Sequence, residues 1–264
     1  MRLTKHHGLG NDFLVLADPS GTQPITADLA RQVCDRTRGI GADGLLRLSP
    51  GTHGADVTME LRNADGSRAE MSGNGISCLV QAALTEGMAS GPDVSVFTDA
   101  GLRTVTAAPG DTAHTSLMTA DMGTAKIGDD EPDWVREPVV RAVRVDVGNP
   151  HLVLHVGDLA ALDTIDLVSV GMEANELVPG GINVELIGQG ARGAIDMRVY
   201  ERGVGITQAC GTGACASAAA AVTWELAPAQ LVVQQPGGAV DIEVGDSIVM
   251  TVPVVQVATI EWLT

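Results

Sequence analysis

The chain predicts an α+β fold of two pseudo-symmetric domains, and three observations carry this. Two motif pairs recur at one fixed offset, each half has a glycine-rich turn opening into an apolar, alanine-containing run, and β-branched stretches lie between them. Gly10-Asn11-Asp12-Phe13-Leu14-Val15-Leu16 resembles Gly148-Asn149-Pro150-His151-Leu152-Val153-Leu154, an offset of 149 − 11 = 138 residues. Ser72-Gly73-Asn74-Gly75 precedes Cys210-Gly211-Thr212-Gly213 by the same interval, 210 − 72 = 138. One short match is noise, but two at a single offset indicate duplication. A length of 264 residues accommodates two small domains.

The elements follow in order. Helices are expected over 26–37, 76–86 and 213–225, and strands over 139–147, 194–200 and 247–257, where β-branched residues partly alternate between turn residues. Pro109-Gly110-Asp111 marks a break between the halves. The domains are accordingly placed at 1–112, completed by a C-terminal strand at about 256–264, and at 113–255. Aromatic residues make up only 2% of the chain, so Val, Leu, Ile, Ala and Met must build the core, with close backbone approaches at its 32 glycines.

Charge excludes some functions. A net charge of −17, from 33 acids against 16 bases, disfavours nucleic acid and anionic membrane as partners, since both are gripped by clustered Lys and Arg. The sequence holds no run of about 18 apolar residues and no secretory start, and it reads as cytoplasmic. Four cysteines (Cys34, Cys78, Cys210, Cys215) are too few for a disulfide framework and lack the spacing of a zinc site, so no metal is expected.

A Gly-x-Gly turn opening a helix leaves backbone N–H groups unpaired at the positive end of the dipole, a site for an anion. Two such turns, at Gly73-Asn74 and Gly211-Thr212, are expected to hold one carboxylate between pseudo-symmetric halves, with Ser72 and Cys210 on opposite sides of the attached α-carbon. That arrangement suits removal of a proton from one face and delivery to the other. A thiol of pKa about 8.5, lowered further at a helix N-terminus, is expected to supply a thiolate near neutrality. Serine has no comparable alkoxide, and His151 is the candidate to assist it. Glu201-Arg202 places an acid and a base side by side, fitting either an amino-acid head group or a solvated turn. Pyridoxal chemistry needs a Schiff-base lysine. Only Lys5 and Lys126 exist, neither beside a phosphate-cradling loop, so no cofactor is expected. Gly211-Thr212-Gly213-Ala214-Cys215-Ala216 also satisfies a relaxed dinucleotide fingerprint, but the strand and the distant acid that this motif needs are missing. Packing explains Cys34, Cys78 and Cys215 as small buried hydrophobes, and His6, His7, His53, His114 and His155 as surface or core residues.

The ordered motifs resemble the diaminopimelate epimerase family from His7 to about Ala221. They are Gly8-Leu9-Gly10-Asn11-Asp12-Phe13, Gly39-Ile40-Gly41-Ala42-Asp43-Gly44, Asn63-Ala64-Asp65-Gly66-Ser67, Gly148-Asn149-Pro150-His151, Asn183-Val184, Glu201-Arg202-Gly203 and Cys210-Gly211-Thr212-Gly213. The resemblance implies a pyridoxal-independent enzyme, usually a homodimer, acting on a small amino-acid substrate. It implies domains that each wrap a curved, mostly antiparallel sheet or barrel around a central helix, with the site in the cleft between them and the last strand returning to the first domain. It further implies that Asn11, Asn63, Asn149, Asn183 and Arg202 hold substrate, with Asn63, Asn183 and Arg202 at the non-reacting end. Gly73, Asn74, Gly211 and Thr212 would grip the reacting carboxylate. Cys210 would act as one acid/base, with His151 and Glu201 assisting.

Three positions depart from the family pattern: Ser72 replaces cysteine, Ser77 arginine and Ile206 glutamate. The first removes one of two catalytic thiols. Three readings follow: an epimerase of L,L- and meso-diaminopimelate working through Cys210 and Ser72, a divergent racemase or lyase for another amino acid, or a catalytically impaired amino-acid binder.

Overall fold

A computed structural model describes residues 1–69, 71–191 and 193–263. Thr264, at the end of the expected returning strand, lies outside them. The chain divides into two compact units, Met1–Asp121 with Thr251–Thr264, and Met122–Met250.

In unit 1, β1 (Arg2–Gly8) and β2 (Asn11–Ala17) form a hairpin whose turn residues Leu9 and Gly10 both have positive φ, 54° and 86°, the condition for the tight turn that matches strand twist. Helix α1 (Ala27–Cys34) leads to β3 (Gly44–Pro50), parallel to β2, and β4 (Val57–Asn63) returns antiparallel. After the short β5 (Arg68–Ala69), α2 (Gly73–Thr85) leads to β6 (Asp93–Thr98), parallel to β4, and then to β7 (Gly101–Pro109) and β8 (Thr115–Gly123).

Unit 2 repeats the scheme. Strand β9 (Lys126–Asp130) pairs with β10 (Val139–Asp146), which forms a hairpin with β11 (Pro150–Val156). Helix α3 (Leu167–Leu177) leads to β12 (Asn183–Gln189), parallel to β11, and β13 (Ala194–Glu201) returns antiparallel. The short β14 (Gly205–Thr207) and α4 (Gly211–Thr223) precede β15 (Gln230–Gln235), parallel to β13, and β16 (Gly238–Val244). Strand β17 (Ile248–Glu261) begins in unit 2 and ends in unit 1, where it pairs with β1 and β8 and closes a ring of strands.

Each unit is built around its second helix. Helix α2 touches β1, β2, β3, β4, β6 and β7, and α4 touches β10, β11, β12, β13, β15 and β16. A helix apolar on all sides must be a core element. In α4 nearly every side chain is small, from Ala214 to Ala221, so strands approach it closely from every direction. Helix α2 buries Asn74, Ser77 and Gln81 among its apolar side chains. Gln81 bonds His6 Nδ1 at 2.8 Å and donates to Val254 O at 3.0 Å, tying the helix to β1 and β17. His6 is thereby a satisfied core histidine, and burial lowers its pKa.

The structure differs from the sequence reading in several places. Pro109-Gly110-Asp111 is the tip of the β7–β8 hairpin rather than a domain junction, because β8 pairs back onto β7 and carries the chain in unit 1 through Asp121. The second crossing falls at Met250/Thr251, inside β17, rather than at 255/256. Helix α1 stops at Cys34, three residues before the expected 37, because Asp35 Oδ1 takes the amides of Thr37 and Arg38 in a turn. Helices α2 and α4 begin at Gly73 and Gly211, so their glycine turns are first helical turns. Helix α3 was not expected; its signal is Asp166, whose carboxylate caps Ser169 N. Among the described residues no helix is long and apolar enough to cross a membrane.

Candidate functional site

Ser72 and Cys210 are helix caps of matching geometry. Ser72 (φ −142°, ψ 127°) caps α2, its Oγ accepting the Gly75 amide at 3.0 Å. Cys210 (φ −133°, ψ 117°) caps α4, its Sγ accepting the Gly213 amide at 3.3 Å. The first intrahelical bonds are Ile76 N to Ser72 O and Ala214 N to Cys210 O. Each helix therefore keeps two earlier amides, Gly73-Asn74 and Gly211-Thr212, for an outside acceptor.

In unit 1 these amides stand beside Asn11, which Asp43 anchors. Asp43 Oδ2 accepts Asn11 Nδ2 at 2.8 Å and Asp12 N at 3.1 Å, and Arg36 bridges Asp43 and Asp12 at 2.8 and 2.7 Å. The glycine-rich stretch from Gly39 to Gly44 thus serves to deliver Asp43 to Asn11. Asn74 Nδ2 donates to Asn11 Oδ1 at 3.3 Å, while Asn74 Oδ1 is buried with no partner among the described residues. Asn63 stands apart at the end of β4, donating to Ser67 Oγ at 3.1 Å. Ser77 is fully buried and donates to Gly73 O at 2.9 Å.

Unit 2 repeats this arrangement with more polar groups. Asn149 Nδ2 donates to Thr212 Oγ1 at 3.4 Å, and both residues lie 138 beyond the Asn11–Asn74 pair (149 − 11 and 212 − 74). Asn149 Oδ1 lies 2.9 Å from His151 Nε2, and the other ring nitrogen, Nδ1, is 2.7 Å from Glu185 Oε1. Thr212 Oγ1 is 3.6 Å from Cys210 Sγ. A continuous polar chain therefore runs from Glu185 through His151, Asn149 and Thr212 to the thiol. The Cys210 amide donates to Gln235 Oε1 at 2.8 Å. Ile206 is exposed on β14.

Electrostatics correct one expectation. Cys210 is buried, and its thiol is pushed well above the ordinary range by burial first and then by the carboxylates of Glu201 and Glu185. The Thr212 hydroxyl and Gly213 amide oppose this without overcoming it. The helix terminus alone does not yield the thiolate that the sequence suggested. All four cysteines are free, and burial also pushes Cys34 and Cys215 up to about 12 and Cys78 higher still.

The remaining predicted residues have structural duties. Asn183 donates to Pro150 O at 3.1 Å and accepts the Arg202 amide at 2.9 Å, so it orders the corner that carries Arg202. The Arg202 guanidinium is bonded to Gly180 O at 3.0 Å and is otherwise exposed. Glu201 accepts from the Thr207 hydroxyl on β14. Sequence reasoning missed Glu185, Gln235 and the anchoring role of Asp43. For Glu185 a signal existed: a lone carboxylate in the apolar run Val184-Glu185-Leu186-Ile187.

The chain is similar to known proteins over nearly its whole length. The sequence profile described as diaminopimelate epimerase matches residues 3–128 and 143–257. A diaminopimelate epimerase of Picosynechococcus sp. is 40% identical over 257 residues, covering 92% of this chain and 91% of the relative. One from Rhodococcus jostii is 37% identical, covering 92% and 90%. Among solved structures, a hydroxyproline epimerase from Agrobacterium vitis superposes with TM-score 0.69 at 18% identity, covering 98% of this chain and 91% of its own. A phenazine biosynthesis protein from Bacillus anthracis superposes with TM-score 0.75 at 13% identity, covering 100% and 99%. At these identities the two structures share the fold alone with this chain.

Proposed function

Because the chain belongs to the diaminopimelate epimerase family, and is an isomerase of that racemase and epimerase class, we propose that it interconverts L,L- and meso-diaminopimelate, with Cys210 and Ser72 serving the two faces of the α-carbon. The observation that carries this reading is the pair of matched caps, each followed by two first-turn amides with no acceptor among the described residues and suited to a carboxylate. The Gly73-Asn74 and Gly211-Thr212 amides hold the reacting carboxylate, and Asn11 and Asn149 orient the head group. The exposed Arg202 guanidinium, placed by Asn183, takes the distal carboxylate, with Asn63 as its companion.

The chemistry is general acid–base transfer at carbon. Cys210 rests as a thiol and delivers its proton; to take one it must first pass its own to a base, the role open to the Glu201 or Glu185 carboxylate that faces it. Ser72 contributes a hydroxyl with no ready anion. The reaction needs no Schiff base, and Lys5 is committed to Gly41 O and Asp12 in any case. We extend the reading to a cofactor-free homodimer in the cytoplasm, which sedimentation of the purified protein checks for assembly.

Ser72, where the resemblance implies a second thiol, supports a second reading, a divergent member acting on a different amino acid. One experiment separates the two. Exchange of the α-proton in deuterated water is followed by NMR for L,L-diaminopimelate and a panel of amino acids, with the chain and with Ser72→Cys. Diaminopimelate is expected to exchange about 10²-fold faster or more with the variant, the scale of a positioned acid–base group. Exchange of another amino acid with Ser72 intact, and none of diaminopimelate, overturns the substrate assignment.

A further inference from the structure

The two caps match, but what stands behind them does not. In unit 1 the inner positions of β2 and β3 are Phe13 and Leu46, both buried. In unit 2 the counterparts are His151 and Glu185: Leu46 pairs with Val15 as Glu185 pairs with Val153. Leucine is sufficient to pack this position in one half. In the other half a carboxylate is wholly buried there, with Oε1 on His151 Nδ1 and Oε2 without a partner among the described residues. Such a group costs free energy that packing does not return. Its place is specific. A Cβ on Gly213 would lie 2.7 Å from Glu185 Oε1 and 3.3 Å from Cys210 Sγ, so the carboxylate rests against the first turn of α4, beside the thiol.

We propose that Glu185 is a positioning residue for Cys210, holding the cap as a protonated thiol, the proton-donating form, by setting a carboxylate against Gly213 beside the sulfur and fixing the His151 ring that begins the polar chain to Sγ. Beside the Glu185 carboxylate, a thiolate at Cys210 would be a second anion in the same small buried volume. Glu185 is also hydrogen-bonded to His151 Nδ1, which turns Nε2 toward Asn149 Oδ1 and so toward Thr212 and the sulfur. The charged groups facing Cys210 are Glu185 on β12 and Glu201 at the end of β13, with His151 on β11 reaching it through the chain. The catalytic meaning of this inference rests on the epimerase reading.

The test needs no substrate, so its outcome is independent of that reading. Alkylation of Cys210 by iodoacetamide is followed across pH by mass spectrometry of the Cys210 peptide, in the full chain and in Glu185→Gln. Replacing the carboxylate by the isosteric amide is expected to lower the pH of half-maximal alkylation by about one unit, a tenfold gain in thiolate at a given pH. If the amide variant does not fold, Glu185→Asp withdraws the carboxylate by one methylene and is expected to shift the midpoint the same way by less. An unchanged or raised midpoint in the folded variant overturns the proposal.

Discussion

Ser72 and Cys210 differ by one atom, and that difference separates stability from reactivity. The Ser72 hydroxyl is a good cap for the Gly75 amide at 3.0 Å, whereas the Cys210 sulfur accepts a weaker bond at 3.3 Å. Ser72→Cys is therefore expected to lower stability by about 1 kcal/mol or less while speeding α-proton exchange. Denaturant unfolding read beside the exchange assay would show the two moving in opposite directions. Gly213 is constrained for a different reason. Its φ is ordinary, but a Cβ there would strike Glu185 Oε1 and crowd the Cys210 sulfur. Gly213→Ala is expected to cost about 1–3 kcal/mol through overpacking, seen as a lower urea midpoint with unchanged slope. At this scale the motifs picked out Ser72 and Cys210 at the helix starts, because those positions carry glycine punctuation after them. Glu185 carries none. Its importance arises from a contact with a helix 28 residues further on (213 − 185), which no local pattern encodes.

The elements show the same division. Helices α2 and α4 announce themselves by a polar cap, glycine and an apolar run, whereas α1 was read too long because Asp35 ends it through its own side chain. The loop after β2 rests on a comparable device. Asp18 is fully buried. Burial pushes its carboxyl up, but bonds from the Ser20 hydroxyl, Arg47 and the Gln23 and Thr22 amides outweigh this and hold it well below the usual carboxylate range. A carboxyl depressed in the folded state contributes stability above its unfolded pKa of about 3.9, and that contribution is lost as pH falls toward the folded value. Wild-type chain is therefore expected to lose stability more steeply than Asp18→Asn between about pH 5 and pH 2. Urea midpoints measured along that range check it, and parallel acid profiles would contradict the assignment.

Over the whole molecule, the strand that matters most to integrity is the last one. Strand β17 pairs with β1 over seven positions from Arg2 to Gly8 and also with β8, completing the ring around α2. Truncation after Met250 leaves two open edges in unit 1 and removes Val254, whose carbonyl accepts from Gln81. The truncated chain is expected to lose cooperative unfolding of unit 1 and to aggregate, which calorimetry and light scattering would record. Duplication, the two central helices, the cap residues and the family were all legible from the sequence alone, because each depends on short-range pattern: an offset of 138 residues, a glycine turn, a buried periodicity. Tertiary structure decided the rest. It placed the domain crossings inside β8 and β17, since strand pairing rather than turn residues assigns a segment to a unit. It also decided the resting state of Cys210, because the field at a sulfur depends on carboxylates and burial brought from distant strands, which a linear motif does not contain.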